Sequence, residues 1–100
     1  MADPSGNIGK NSYISYDVYL KMRRSVHYYN LGLKQQATGI DPGLAAQYYF
    51  MALGLNPFDV DAKTAIEYLR TNVAAFTEDE CTQAKAKANI ELKKCGFCRR

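Results

Sequence analysis

The side chains with the most reactive potential in this 100-residue chain are its three cysteines and its single histidine. Cys95-Gly-Phe-Cys98 is a C-x-x-C pair. That spacing serves thiol–disulfide exchange or supplies half of a zinc site, and Cys81 and His27 are the residues able to complete four ligands. The context argues against both uses. A reactive C-x-x-C sets its first thiol at a helix N-terminus, where the dipole stabilises thiolate, whereas Cys95 falls at the end of a helical pattern. Lys93, Lys94, Arg99 and Arg100 act in the opposite sense. Cys81 and Cys95 also share a stripe of small side chains, where a free cysteine packs as a small hydrophobe. No metal and no cofactor is expected on this reading.

His27 has no evident catalytic partner. A general base needs a neighbouring nucleophile and an orienting carboxylate, but Ser25 points elsewhere on a helix and Asp17 lies ten residues away. The carboxylates Asp59 and Asp61 and the run Glu78-Asp79-Glu80 stand at helix starts, where capping and the helix dipole already account for them. The chain holds no phosphate-binding G-x-x-x-x-G-K-[ST], no dinucleotide fingerprint and no H-E-x-x-H. It therefore reads as non-enzymatic, with no catalytic residue to name.

Tyrosine and arginine form the least ordinary cluster. Tyr13, Tyr16, Tyr19, Tyr28 and Tyr29 interleave with Lys10, Lys21, Arg23 and Arg24, and on a helix Tyr16, Tyr19 and Arg23 share a face. Such surfaces stack on bases and neutralise phosphate, yet Tyr and Arg are also enriched at protein interfaces. The net charge of +3 is small for a nucleic-acid domain, so protein contact is the preferred use. Candidate interface residues are Tyr13, Tyr16, Tyr19, Arg23, Arg24, Arg99 and Arg100. The alternative is a basic-ended nucleic-acid module using Lys10, Arg23, Arg24, Lys93, Lys94, Arg99 and Arg100. The +3 also hides segregation: residues 1–34 carry five basic and two acidic groups, 35–80 two and seven, and 81–100 six and one. Blocks of +3, −5 and +5 suit self-assembly or a charged protein partner.

These residues need elements to hold them. From Tyr13 to Thr38 apolar residues recur at three- and four-residue steps without proline, which predicts a helix stopped by Gly39. Asp41-Pro42 reads as a cap and first helical residue for a second helix running to Leu55, ended by Asn56-Pro57. Asp59 or Asp61 can cap a third helix reaching about Phe76, with Ala62, Ala65, Ile66, Leu69 and Val73 on one face. Thr77 and Glu80 have the spacing of a capping box for a fourth helix to Cys95, closed by Gly96. That helix carries Cys81, Ala84, Ala88, Leu92 and Cys95 as its stripe of small residues. No segment alternates long enough for a strand. Connections of about two to four residues predict antiparallel neighbours. The fold class is all-α, a small bundle of about four antiparallel helices, with residues 1–12 as a flexible arm and 13–100 as one domain.

Residues 28–57 resemble a tetratricopeptide (TPR) repeat, a pair of antiparallel helices interlocked through side chains of fixed size. Tyr28, Leu31 and Gly32 match the large-x-x-Leu-Gly step of its first helix. Ala45, Tyr49, Ala52, Leu53, Leu55 and Pro57 match the second. Between Gly39 and Ala45 the chain has one residue more than the family allows, and Gln35 stands where Tyr is usual. No second repeat follows Pro57, and any tight alanine-rich hairpin ending in Asn-Pro would carry similar residues. The resemblance implies a protein-binding or scaffold role. Taken together, the sequence predicts a structural or adaptor subunit that makes protein contacts within a larger assembly. The first twelve residues are small and polar, lacking the apolar run of a secretory signal, and no stretch approaches the length of a membrane span. The expected location is cytoplasmic, or within a particle assembled in the cytosol, without membrane contact.

Overall fold

Asp41 and Pro42 start the helix on which the fold is organised. In a computed structural model that describes residues 16–95, Asp41 Oδ1 accepts a hydrogen bond from the Leu44 N–H at 3.0 Å, and Pro42 occupies the first turn, where no N–H is needed. The residues before Tyr16, including the arm at 1–12 and Tyr13, lie outside the described residues, as do Cys98, Arg99 and Arg100. The helix ends at Asn56, whose extended backbone donates to the Ala52 carbonyl just ahead of Pro57. The described residues form four helices and no strand: α1 (Tyr16–Thr38), α2 (Pro42–Leu55), α3 (Val60–Asn72) and α4 (Glu78–Cys95).

No residue of α2 is charged, and its apolar side chains point in every direction, so it has to be enclosed. The other three helices enclose it. α1, α4 and α3 each pack on α2 and make little contact with one another. Ala45, Ala46, Tyr49 and Ala52 are fully buried, with Met51 and Leu55 nearly so. Ala62, Ile66 and Leu69 from α3 and Ala84, Ala88 and Leu92 from α4 complete the core; of the other residues expected on these stripes, Ala65, Val73 and Cys81 are partly buried against it, and the side chain of Cys95 lies outside the described residues.

Close contacts fix the helix directions. Ser25 and Gln36 of α1 meet Ala52 and Tyr49 of α2, which makes the pair antiparallel across the Gly39 turn at φ 69°. Gly43 faces the Glu80 carboxylate and Gly54 faces Leu92, so α4 runs parallel to α2. α3 runs back from Asp59, beside Ser25, to Leu69 and Val73, beside Ile40 and Pro42. It is antiparallel to α2, as expected of successive helices with short links.

Two details differ from the sequence expectation. α3 stops at Asn72, about four residues short of Phe76. Its last turn is loosened by side chains that bond backward, Thr71 Oγ1 to the Glu67 carbonyl and Asn72 Nδ2 to the Tyr68 carbonyl. Val73 then takes an extended conformation, and Phe76 folds in to only 4% exposure. The second difference is in α1. Its recurring apolar residues Val18, Met22, Val26 and Leu33 are exposed, while Ser25 and Gly32 face α2. A Cβ on Gly32 would lie 2.5 Å from Tyr49 Cε1, so the large ring of α2 sets the demand for a small residue opposite.

Polar groups at these contacts are satisfied. Tyr49 donates its hydroxyl proton to Gln36 Oε1, and its burial, with Tyr29 alongside, pushes its pKa up to about 12. Ser25 Oγ lies 3.0 Å from both the Ala52 carbonyl oxygen and Asp59 Oδ2, and shares its one proton between them. Asp59 Oδ1 meanwhile caps α3 by accepting from the Ala62 N–H. One hydroxyl thus joins three helices. For α4, Thr77 Oγ1 accepts from the Glu80 N–H as a capping residue should, but the Glu80 carboxylate lies against Gly43.

Candidate functional site

α1 is longer than the helix it packs on. Because Ser25 is level with Ala52, three residues before the end of α2, roughly the first six residues of α1 project past that end, about 9 Å of helix at 1.5 Å per residue. The outward side of this stretch carries Tyr16 and Tyr19, 74% and 46% exposed. Their rings stack with centroids 6.4 Å apart. Arg23 lies with Cζ 5.8 Å from the Tyr19 ring centroid and donates to the Tyr19 hydroxyl at 3.3 Å. Tyr16, Tyr19 and Arg23 therefore come together on one face, as their spacing predicts.

Arg24 turns to a neighbouring strip and lies 5.9 Å from the Tyr28 ring. Tyr28 in turn stacks on Tyr48 of α2 at 6.4 Å and meets His27 edge-on. Each cation over a ring contributes about 0.5–1 kcal/mol at exposed positions and fixes where the guanidinium sits. Lys21 pairs with Asp17 at 3.6 Å. The result is a surface of aromatic rings with guanidinium groups held against them, able to offer N–H donors to carboxylates or phosphates. Of the remaining interface candidates, Tyr13, Arg99 and Arg100 lie outside the described residues.

Cys81 and the histidine lie apart, and the side chain of Cys95, like Cys98, lies outside the described residues. His27 is exposed on α1, while Cys81 packs against the core formed by α2, α3 and α4. Among the described residues no three His, Cys, Asp or Glu side chains are grouped to hold a metal. Cys81 borders an open cleft of about 460 Å³ lined also by Ile66, Glu67, Arg70 and Glu78. Burial raises its thiol pKa, an effect opposed by Arg70, so the nucleophilic thiolate is disfavoured. Arg70 itself bonds Glu78 Oε2 at 2.7 Å and Glu67 Oε2 at 3.0 Å. The Glu78 bond, with both carboxylate charges, holds the guanidinium pKa above its ordinary value.

Two features escaped the sequence. The first is a groove of about 350 Å³ between α1 and α3, where Tyr29 and Leu33 face Thr64 and Tyr68. The exposed residues Val18, Met22, Val26 and Leu33 run along α1 on that side. A stripe of large apolar residues beside a stripe of small ones is the signal that would have revealed it. The second is the folded arrangement of charge. Because α2 and α4 are parallel and α1 opposes them, Arg23 and Arg24 share one end of the bundle with Lys93 and Lys94. Asp41, Glu78, Asp79 and Glu80 gather at the other end, while Asp59 and Asp61, at the start of α3, stand with Arg23 and Arg24.

No protein-family model matches the chain, and no curated protein or solved structure is significantly similar to it. The resemblance of residues 28–57 to a TPR repeat stands on its quoted residues alone, and the helical fold adds no independent sign of a repeat. No helix among the described residues is long and apolar enough to cross a membrane.

Proposed function

We propose that this chain is a non-enzymatic structural or adaptor subunit that makes protein–protein contacts within a larger assembly through the outward face of α1. The observation carrying this reading is the projecting start of α1, where Tyr16 and Tyr19 are exposed and Arg23 is fixed against a ring. Nothing in the core requires these side chains, while aromatic residues and arginine are the types that dominate binding energy at protein interfaces. The raised pKa of Cys81 fits a thiol that packs against the core. A native mass measurement in the source tests the reading. A particle well above 11.2 kDa is expected, and it should lose this chain when Tyr16 and Tyr19 are both changed to alanine. A lone 11.2 kDa monomer overturns it.

A second reading is favoured by one observation, the convergence of Arg23, Arg24, Lys93 and Lys94 at one end. These are four of the cations a nucleic-acid module would use. Such binding weakens steeply between about 50 and 200 mM salt, and a filter-binding assay with no retention at the low end removes it.

A further inference from the structure

We propose that the Tyr16/Tyr19/Arg23 face at the basic end of the bundle receives the acidic end of a second copy of this chain, so that copies associate head to tail. This rests on the reading of the chain as an assembly subunit and names one partner for it. The argument begins with direction. The parallel course of α2 and α4 against α1 brings Arg23, Arg24, Lys93 and Lys94 to one end of the molecule and Asp41, Glu78, Asp79 and Glu80 to the other, although Asp59 and Asp61 at the start of α3 stand at the first end and Lys94 is paired there with Glu91. The two ends cannot satisfy each other within a chain.

The helix dipole accounts for part of this pattern, since acidic residues in the first turn of α4 and lysines in its last turn are each stabilising. It does not account for Arg23 and Arg24. They lie two turns into α1, past the reach of the dipole, and both are exposed although Ser25 beside them is buried. Arg23 gives one N–H to Tyr19 and keeps others of its five donors, which suit bidentate contact with carboxylate. At the other end Glu78 is engaged by Arg70, but Asp79 and Glu80 are exposed and form no ion pair among the described residues. Asp79 and Glu80 at one end therefore offer carboxylates that suit the remaining donors of Arg23 at the other.

The two surfaces differ, so the contact is heterologous and leaves an unused end on every added copy, giving rings or filaments where a two-fold contact would stop at a dimer. Light-scattering mass of the full chain tests this at about 50 and 500 mM salt, where exposed charges are weakly and strongly screened respectively. Wild type should exceed 11.2 kDa and grow with concentration at low salt, then fall to the monomer at high salt. Arg23→Glu with Arg24→Glu, and separately Asp79→Lys with Glu80→Lys, should each be monomeric. An equal mixture of the two should associate again, because the chain left with two acidic ends now meets one left with two basic ends.

Helical circular dichroism checks that the variants fold, and Asp79→Asn with Glu80→Gln serves if the lysine pair does not. Wild type that stays monomeric at low salt overturns the proposal, as does a mixture that stays monomeric. An oligonucleotide bound at low salt by a chain that does not self-associate overturns it in favour of the nucleic-acid reading. Failure here leaves the native mass measurement free to find a different partner, so the two readings fail separately.

Discussion

α2 and the projecting start of α1 obey opposite rules. α2 carries no charge and packs against three helices, so its buried side chains, Ala45, Ala46, Tyr49, Met51, Ala52 and Leu55, are accounted for by the neighbours they touch. The first turns of α1 carry charge and exposed aromatic rings, and the core would close without them. Residues that packing explains say little about activity, whereas residues that packing leaves unexplained mark where a surface has another task. The contrast is measurable because substitutions in the two regions should differ in kind: those in α2 should alter stability, and those at the start of α1 should alter association.

The strongest test removes the largest fully buried side chain. Tyr49→Ala should cost about 3–5 kcal/mol in denaturant unfolding, the range for deleting a buried aromatic ring. A cost near zero would mean that α2 is not the centre of the core. The next effect is one of pH. Tyr49 has a folded pKa of about 12 against an ordinary value of 10.0, so folding favours its neutral form. Its contribution is intact below pH 10 and is lost as pH rises from there through 12, up to about 2–3 kcal/mol at 1.36 kcal/mol per pH unit. Tyr49→Phe should remove that part of the alkaline decline, and Tyr19→Phe should leave it in place. Smaller again is Ser25→Ala, which strips one hydroxyl from the junction of three helices and should cost about 1–2 kcal/mol in the same unfolding assay. Smallest is Tyr19→Ala, expected within about 0.5 kcal/mol of wild type while weakening association. If Tyr19→Ala matched Tyr49→Ala in stability, the division between the two helices would be wrong.

Much of the fold is written in local signals. Asp41-Pro42, Asn56-Pro57, Asp59 and Thr77 each act within a few residues of themselves, and each caps or ends a helix where its chemistry says it should. The packing face of α1 was not legible in that way. Its apolar residues repeat at helical steps, yet the buried positions are Ser25 and Gly32, because the size of Tyr49 and the carbonyl of Ala52 decide what can lie opposite them. Only the partner helix carries that information. The end of α3 was misplaced for a related reason: burial of Phe76 draws the chain out of the helix, and a distant core sets that demand. For the candidate surface, the spacing of Tyr16, Tyr19 and Arg23 was enough to put them together. The meeting of Arg23 and Arg24 with Lys93 and Lys94 at one end was not readable, since it depends on α4 running parallel to α2 across two intervening turns.

The junction at Ser25 has a consequence for how the molecule opens. α3 is held to α2 over a smaller contact than α1 or α4, and its first turn is tied to both neighbours through the Asp59 carboxylate and one shared proton. Local opening follows the weakest attachment, so of the three helices around α2 it is α3 that should open as a unit first, once the projecting start of α1 has frayed, while the amides of α2 wait for the whole chain to unfold. The fold breathes through its third helix, and the Ser25 hydroxyl is the latch.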